Sequence, residues 1–535
     1  MEIDCDVLVY GGTSGAVGTA VEGARLGLRV LMISPSEHIG GVQIEGLGAT
    51  DIDGQVEFQN SPSVGGIGLE FHHRISAAYG RSQKLETVLK EGIKDPSVWR
   101  FEPRVAESVV KNWLGEFPNI QIIKASISPA KAVDKSGGIV TKVHLSNGLH
   151  VSAKIFIDAT YEGDFLASAG VSTTFGREAS SVYGEMLAGV RDETIYGQIE
   201  VSIDPYRTPG DPSSGLLYGI SSEPFGTPGM GDDHLMAFSF RLPLTDNLDN
   251  QLPIYKPEGY DASHYELYRR HALAGGRLYT PIVRIPGSKT DIVGCEAPLH
   301  LDLIGMNDGW ADGSAEKRME ILERAALFTK GLLYFYTSDE SLPLPFRKEW
   351  QRFGYPLDEF PDNNHFPRML YIRDGRRMVS DYVITHHTAA RDGGEPLVHD
   401  PVAVAYWPPD THDARRVVRD GRVQNEGFIF KDKNNKWKPF GISYRSLVPK
   451  RVEAMNVLTP TCPSSSHLGY GSVRIEHQFY ELGQACAIAA DIAIKQGIPV
   501  QDVPYDTMKK ELLSRGAILD ASKVGVPSFP DEGLK

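Results

Sequence analysis

The hydrophobic pattern is densest at the start of the chain. Residues 5–10, Cys-Asp-Val-Leu-Val-Tyr, read as a buried β-strand and run straight into Gly11-Gly12-Thr13-Ser14-Gly15-Ala16-Val17-Gly18. Small and apolar side chains then recur at helical spacing from Ala16 to Leu26, Gly27 marks a helix stop, and residues 28–33 read as a second buried strand. The pattern predicts a βαβ unit. Further helical patterns cover Leu69–Tyr79 and Val105–Phe117, with strands near Ile120–Ile123, Ile139–Leu145 and Ala153–Ile157. From about Phe175 to Phe440 this rhythm stops and Pro, Gly, Tyr and Asp become common, with one long helix expected over Ala315–Tyr336. A Gly/Ser-rich turn, Ser464–Ser472, then leads into a small-residue helix expected over Val473–Lys495 and ended by Gly497 and Pro499.

The organisation expected is α/β: a discontinuous Rossmann-like domain of residues 1–175 and 441–510, a mixed α+β substrate or cap domain inserted as residues 176–440, and a C-terminal extension of residues 511–535. A strand, a glycine turn and a helix in direct succession suit a dinucleotide. The glycines let the backbone turn tightly against a diphosphate, and the helix start offers unpaired N–H groups and a positive dipole end. Thr13 and Ala16 stand where second and third glycines are usual, and Ser34 stands where a ribose-binding acid is usual. Ser34 offers a hydroxyl without charge, with Glu37 nearby, and no Arg is at hand for a ribose 2′-phosphate, which disfavours NADP. The Gly-rich stretches Ile39–Gly54 and Gly65–Gly68 read either as backbone folded over a ligand or as solvated loops.

Composition narrows the partners. The chain has 535 residues, 41% of them hydrophobic, and a formal net charge of −14 with no basic tract, which argues against nucleic acid or an anionic membrane. No apolar run approaches the roughly 20 residues that span a bilayer, and the first strand starts close to Met1, so the expected location is cytoplasmic. Cys5, Cys295, Cys462 and Cys486 form no C-x-x-C pair, and the His72-His73 and His386-His387 pairs lack a third ligand, so no metal is expected. A small-molecule substrate and a monomer or homo-oligomer are expected.

Several separated segments resemble one family, the FAD-dependent oxidoreductases of the glutathione-reductase-like FAD superfamily. They are Tyr10–Thr13, His38–Gly41, Ile157–Asp164 (Ile-Asp-Ala-Thr-Tyr-Glu-Gly-Asp) with Gly176-Arg177-Glu178, the cluster Arg373, Arg376, Arg377, and the run Ser464, His467, Gly471, Ser472, Arg474, Glu476 leading to Gly483-Gln484-Ala485. The stretch from about Val190 to Gly313 matches nothing in that pattern.

The resemblance implies FAD as cofactor, held by Gly11, Gly12, Thr13, Ser14, Gly15 and Ala16 at the first turn and by Ser34 and Pro35 after the second strand. His38, Gly40, Gly41 and Val42 would follow, then Ala159, Thr160 and Asp164, with Arg373, Gly471, Ser472 and Arg474 from the later chain. Asp158 reads either as a cofactor contact or as a cap on its own turn. For proton handling the first candidate is His467, a residue type that titrates near neutral pH, or else a His that only bonds the loop. Tyr406 and His412 are further candidates. Arg376, with Arg373 and Arg377, would bind a substrate carboxylate as in fumarate-reductase-like relatives, or pair with acids such as Asp374 and Asp381, or touch the cofactor. No second strand–glycine–helix unit occurs mid-chain, so electrons are expected to pass from a small organic substrate to FAD and then to oxygen or another acceptor. The alternatives are a flavin-dependent reductase, a non-redox FAD enzyme, an NAD-dependent enzyme and a non-catalytic binding protein.

Overall fold

The structure is a computed structural model that describes residues 2–55, 58–279, 283–293, 297–390, 398–430 and 432–524. Cys295 lies outside them; Cys5, Cys462 and Cys486 are free and buried.

The first βαβ unit forms as expected. Strand β1 (Glu2–Tyr10) and strand β2 (Val30–Ser34) pair in parallel, Val7 opposite Val30 and Tyr10 opposite Ile33, and helix α1 (Ser14–Arg25) joins them. Alternation along β1 sends Val7 and Val9 into one hydrophobic cluster and Leu8 and Tyr10 into another. Both faces are covered, which is why the strand reads as a continuous apolar run.

Strand β3 (Ile120–Lys124) adds outside β2, and strands β4 (Val133–Ser136), β5 (Ile139–His144) and β6 (His150–Asp158) follow on the other side of β1. Among the described residues the sheet has seven strands in the order β3-β2-β1-β6-β5-β4, with strand β7 (Val457–Leu458) pairing β6. The β2–β3, β1–β2, β1–β6 and β6–β7 pairs are parallel, whereas β4–β5 and β5–β6 are antiparallel. This is a Rossmann-type sheet with helices against it.

Helices α2 (Gly66–Ala78) and α3 (Pro103–Gly115) match their predicted patterns, and a short helix, α4 (Asp164–Ser168), follows β6. The long helix α5 (Ala315–Ser338) also forms. Around it, among the described residues, the strands form short antiparallel pairs, among them Pro401–Ala405 with Phe440–Ser443 and Arg415–Arg419 with Arg422–Glu426.

The C-terminal segment differs from expectation. A single helix over Val473–Lys495 is replaced by two, α6 (His467–Val473) and α7 (Glu476–Gln496), with Ile475 extended between them at φ −75° and ψ 125°. The Gly/Ser-rich turn therefore holds a helix of its own, N-capped by Ser466, whose side chain accepts from the Gly469 N–H. Gly497 ends α7 in the left-handed region at φ 64°.

Helix α7 packs against α1 at backbone distance. A Cβ on Gly18 would stand 2.4 Å from the Tyr480 carbonyl oxygen, and one on Gly483 would stand 2.3 Å from that of Gly15. Residues more than 450 positions apart thus share one contact, and the small side chains of both helices are what permit it. Among the described residues no helix is long and apolar enough to cross a membrane.

Candidate functional site

Two regions of the molecule gather the chemistry. The first is a cavity of about 590 Å³ at the carboxyl ends of β1 and β2, within the usual size of a ligand pocket. Gly11, Gly12 and Thr13 form its floor, Ser34, Pro35 and His38 one side, Thr160 and Asp164 another, and Arg318, Arg368 and Arg376 reach in from the later chain.

The glycine turn is held from beneath. Gly11 has φ 126° and a Cβ there would lie 2.2 Å from the Ala159 carbonyl oxygen, so only glycine fits. Gly40 and Gly41 N–H both donate to the Gly12 carbonyl, at 2.7 and 3.0 Å, which ties the second glycine pair to the first turn. Thr13 explains its own departure from the usual glycine: its Oγ1 caps α1 by accepting from Ala16 N–H and donates to the Ala159 carbonyl at 2.8 Å. Ala159 is covered, as are Ser14 and Ala16. Asp158 caps its own turn, with its carboxylate accepting from Thr160 N–H, Thr160 Oγ1 and Leu166 N–H at 2.7–3.0 Å.

The cations at this end are already partnered. Arg318 holds Asp164 with both terminal nitrogens, at 2.5 and 2.8 Å, and Arg376 holds the same carboxylate at 2.7 Å and the Glu162 carbonyl at 3.1 Å. Burial would raise the Asp164 carboxyl, but the two arginines hold it below the usual range. His38 sits between Glu107 and Asp362, 3.0 Å from the latter, and Arg368 is paired with Glu45 at 2.9 Å.

The second region is a buried cluster around Tyr371. The guanidinium groups of Arg373, Arg241 and Arg474 lie 4.8, 5.8 and 5.8 Å from its ring centre. Each has its own acid: Arg241 grips Asp291 with two nitrogens at 2.5 and 2.8 Å, Arg373 meets Asp302 at 3.1 Å, and Arg474 meets Asp410 at 3.2 Å. Arg474 also donates to the Tyr371 hydroxyl at 3.0 Å. His412 closes the ring with Nδ1 2.6 Å from Asp302, and burial and Arg373 push it far below its ordinary value, so the imidazole is neutral.

Asp51 is the acid of this cluster without an ion pair among the described residues. Burial pushes its carboxyl up to about 6, with Arg241 pulling down and Asp410 pushing further up. It is half-buried, whereas Arg241, Asp291, Tyr371 and Arg474 around it are covered.

The other expected residues fall elsewhere. His467 starts α6 with its Nδ1 3.1 Å from Asp374 and its N–H on Glu178 at 2.9 Å, inside a network closed by Arg377, which bonds Asp374 at 2.7 Å and Glu178 at 2.8 Å. Tyr406 is buried with its hydroxyl 2.7 Å from His477 Nδ1. A Cβ on Gly471 would lie 2.6 Å from the Asp410 N, so this glycine lets the Asp410 loop press onto α6. Gly15 packs in the same way on Pro460 and Thr461. Val42 N–H donates to the Tyr161 hydroxyl at 3.1 Å.

The sequence profile of the family described as "FAD dependent oxidoreductase" matches residues 6–512. The chain belongs to the FAD-dependent oxidoreductase family. It is therefore an enzyme whose cofactor is FAD. A search of curated proteins finds no match. Solved structures with partial likeness include L-proline dehydrogenase from P. horikoshii (16% identity over 34% of this chain and 59% of that one, TM-score 0.25). L-amino acid deaminase from Proteus vulgaris gives 14% identity over 33% and 53%, TM-score 0.23. The flavin-dependent brominase Bmp2 gives 16% identity over 34% and 44%, TM-score 0.22. The chain spans less than two thirds of the length of each of these.

The residues present fit FAD. The cavity at the strand ends starts at the glycine turn, as a diphosphate requires, and α1 is long enough to present a helix dipole there. Among the described residues, the fully buried Gln43 carboxamide has no partner on either its oxygen or its nitrogen, and the buried Ser472 Oγ has none. Both belong to segments implied in cofactor binding, and a polar ring edge would satisfy both. Sequence reading missed Gln43, Asp51, Arg241, Asp291, Tyr371 and Asp410. Asp51 falls in the Gly-rich stretch after His38 and Tyr371 two residues before Arg373, which were the available signals, whereas Arg241 and Asp291 lie in the segment that matched no pattern.

Proposed function

We propose that this oxidoreductase removes a hydride and a proton from a small organic substrate, with reoxidation of the cofactor by oxygen or another acceptor, in a glutathione-reductase-type arrangement that uses residues 176–440 as the substrate domain. The observation that carries this reading is Asp51. It is a half-buried carboxylate raised to about 6, set among three arginines whose charges are already matched. A base whose proton affinity is lifted toward the working pH is what substrate deprotonation needs.

FAD, when bound, supplies the two-electron acceptor for the substrate C–H. Asp51 takes the proton from the substrate hydroxyl or amine, Tyr371 and the Arg241, Arg373 and Arg474 guanidiniums wall the space, and the neutral His412 offers a hydrogen bond. His467, fixed by Asp374 and Glu178, holds α6 against the Arg377 network. Arg376 serves the cofactor end through Asp164. A fumarate-reductase-like direction needs arginines free for a carboxylate. Pairing of all three clustered arginines favours oxidation of an uncharged or amine substrate instead.

Anaerobic mixing with a panel of alcohols, amines and carboxylic acids tests this. The expected result is bleaching of the yellow absorbance by a member of the first two classes, recovery in air, and a product lighter by two hydrogens. Bleaching by carboxylic acids alone, or a product of unchanged mass, would overturn it.

A further inference from the structure

One buried carboxylate bonds two distant segments of the chain under the glycine turn and reaches a third through Tyr161. Glu476, the first residue of α7, accepts from the Tyr161 hydroxyl at 2.6 Å on one oxygen and lies 2.6 Å from the Ser14 hydroxyl on the other. Tyr161 in turn accepts from Val42 N–H at 3.1 Å, and its hydroxyl sits 2.3 Å from where a Gly41 Cβ would be. Ser14 is the first residue of α1, so this carboxyl stands directly behind the helix start that receives the diphosphate.

Among the described residues the groups that face Glu476 from neighbouring elements are the hydroxyls of Tyr161, Tyr470 and Tyr480, all pushed up by burial and therefore neutral, and no Lys, Arg or His pairs with it. The geometry serves the protonated acid as well as the ionised one. Ser14 Oγ is also 3.1 Å from the Glu476 backbone carbonyl, so it can accept the carboxyl proton and pass its own hydrogen to that carbonyl. We propose that Glu476 is the positioning residue that locks the FAD-binding segments together, and that it takes up one proton when the cofactor binds. This rests on the diphosphate lying at the α1 start.

The physical cause is charge. Burial already pushes the Glu476 carboxyl up to about 7, and a diphosphate dianion at the same helix end disfavours a second uncompensated anion. The bound state then holds one proton more than the free state. Affinity is flat below about pH 7 and falls as pH rises above it, by at most about tenfold per pH unit.

Flavin release from the holoenzyme, followed by fluorescence of free FAD after ultrafiltration between pH 6 and 9, reads this without any turnover (an assay window of about three pH units around the carboxyl). The expected wild-type dissociation constant rises only above about pH 7. Glu476→Gln keeps both hydrogen bonds without a charge, so it retains flavin with no slope across the range, and Glu476→Ala releases flavin at every pH. A wild-type constant that does not change with pH, or an equal slope in Glu476→Gln, would overturn the proposal. Protein that holds no flavin at any pH would sink the cofactor site along with it. Should the variants not fold, calorimetric titration of the flavin-stripped full chain with FAD at about pH 8.5 in two buffers of different ionisation enthalpy gives the count directly, with about one proton expected and none refuting it.

Discussion

The cofactor end and the Tyr371 cluster solve opposite problems in one chain. At the strand ends the protein supplies backbone: glycines, a helix start and capping hydroxyls, with the Asp164 carboxylate shared between two arginines at the rim. Around Tyr371 it supplies charged side chains in a closed interior, and each arginine there is matched by an acid on a different segment. An anion can be held by oriented amides without buried charge, whereas buried charge survives only when paired. The contrast teaches where catalysis can sit. The matched cluster leaves one carboxylate unmatched, and that carboxylate is the chemically available one.

Substitutions can break this contrast at either end. The largest effect is expected for Gly11→Val, because a side chain at φ 126° would collide with the Ala159 carbonyl; flavin content and thermal melting should show loss of folded flavoprotein, and a normal melt with full flavin would refute the account of the turn. Arg241→Ala strands the fully buried Asp291 and should cost about 4 kcal/mol in urea unfolding. A cost under about 1 kcal/mol would mean the pair is solvated in solution.

Asp51→Asn should leave flavin content intact and slow anaerobic flavin reduction by about 100-fold, the scale of a lost general base. In the wild type the reduction rate should rise as pH increases through about 6, since the carboxylate must be deprotonated to act, and the variant should lose that rise. A variant that keeps the rise assigns the proton to another group. The smallest effect is expected for Arg376→Ala: Arg318 still holds Asp164, so stability should fall by less than about 1 kcal/mol while FAD dissociates somewhat faster. A loss as large as that of Arg241→Ala would erase the distinction between the two regions.

The legibility of the two regions differs for the same reason. The βαβ unit and α5 were readable because periodicity over a continuous run reports which face is buried, and Gly11 and Gly12 because a strand-to-helix turn demands them locally. Thr13 looked like a departure until its hydroxyl was seen capping α1. The break between α6 and α7 was not readable. Val473 to Glu476 is compatible with continuous helix, and what interrupts it is Arg474 reaching Tyr371 and Asp410 from a distant segment.

By itself, then, the sequence determined the parallel sheet's first strands and the glycine turn of a dinucleotide site, set by short-range pattern and backbone sterics, while FAD followed from the resemblance to the family. Only the tertiary structure decided which arginine answers which acid, that Arg376 stands at the strand-end cavity and Arg373 beside Tyr371, and that Asp51 has no ion pair among the described residues. Those outcomes depend on desolvation and on distances between segments hundreds of residues apart, and no local pattern encodes either.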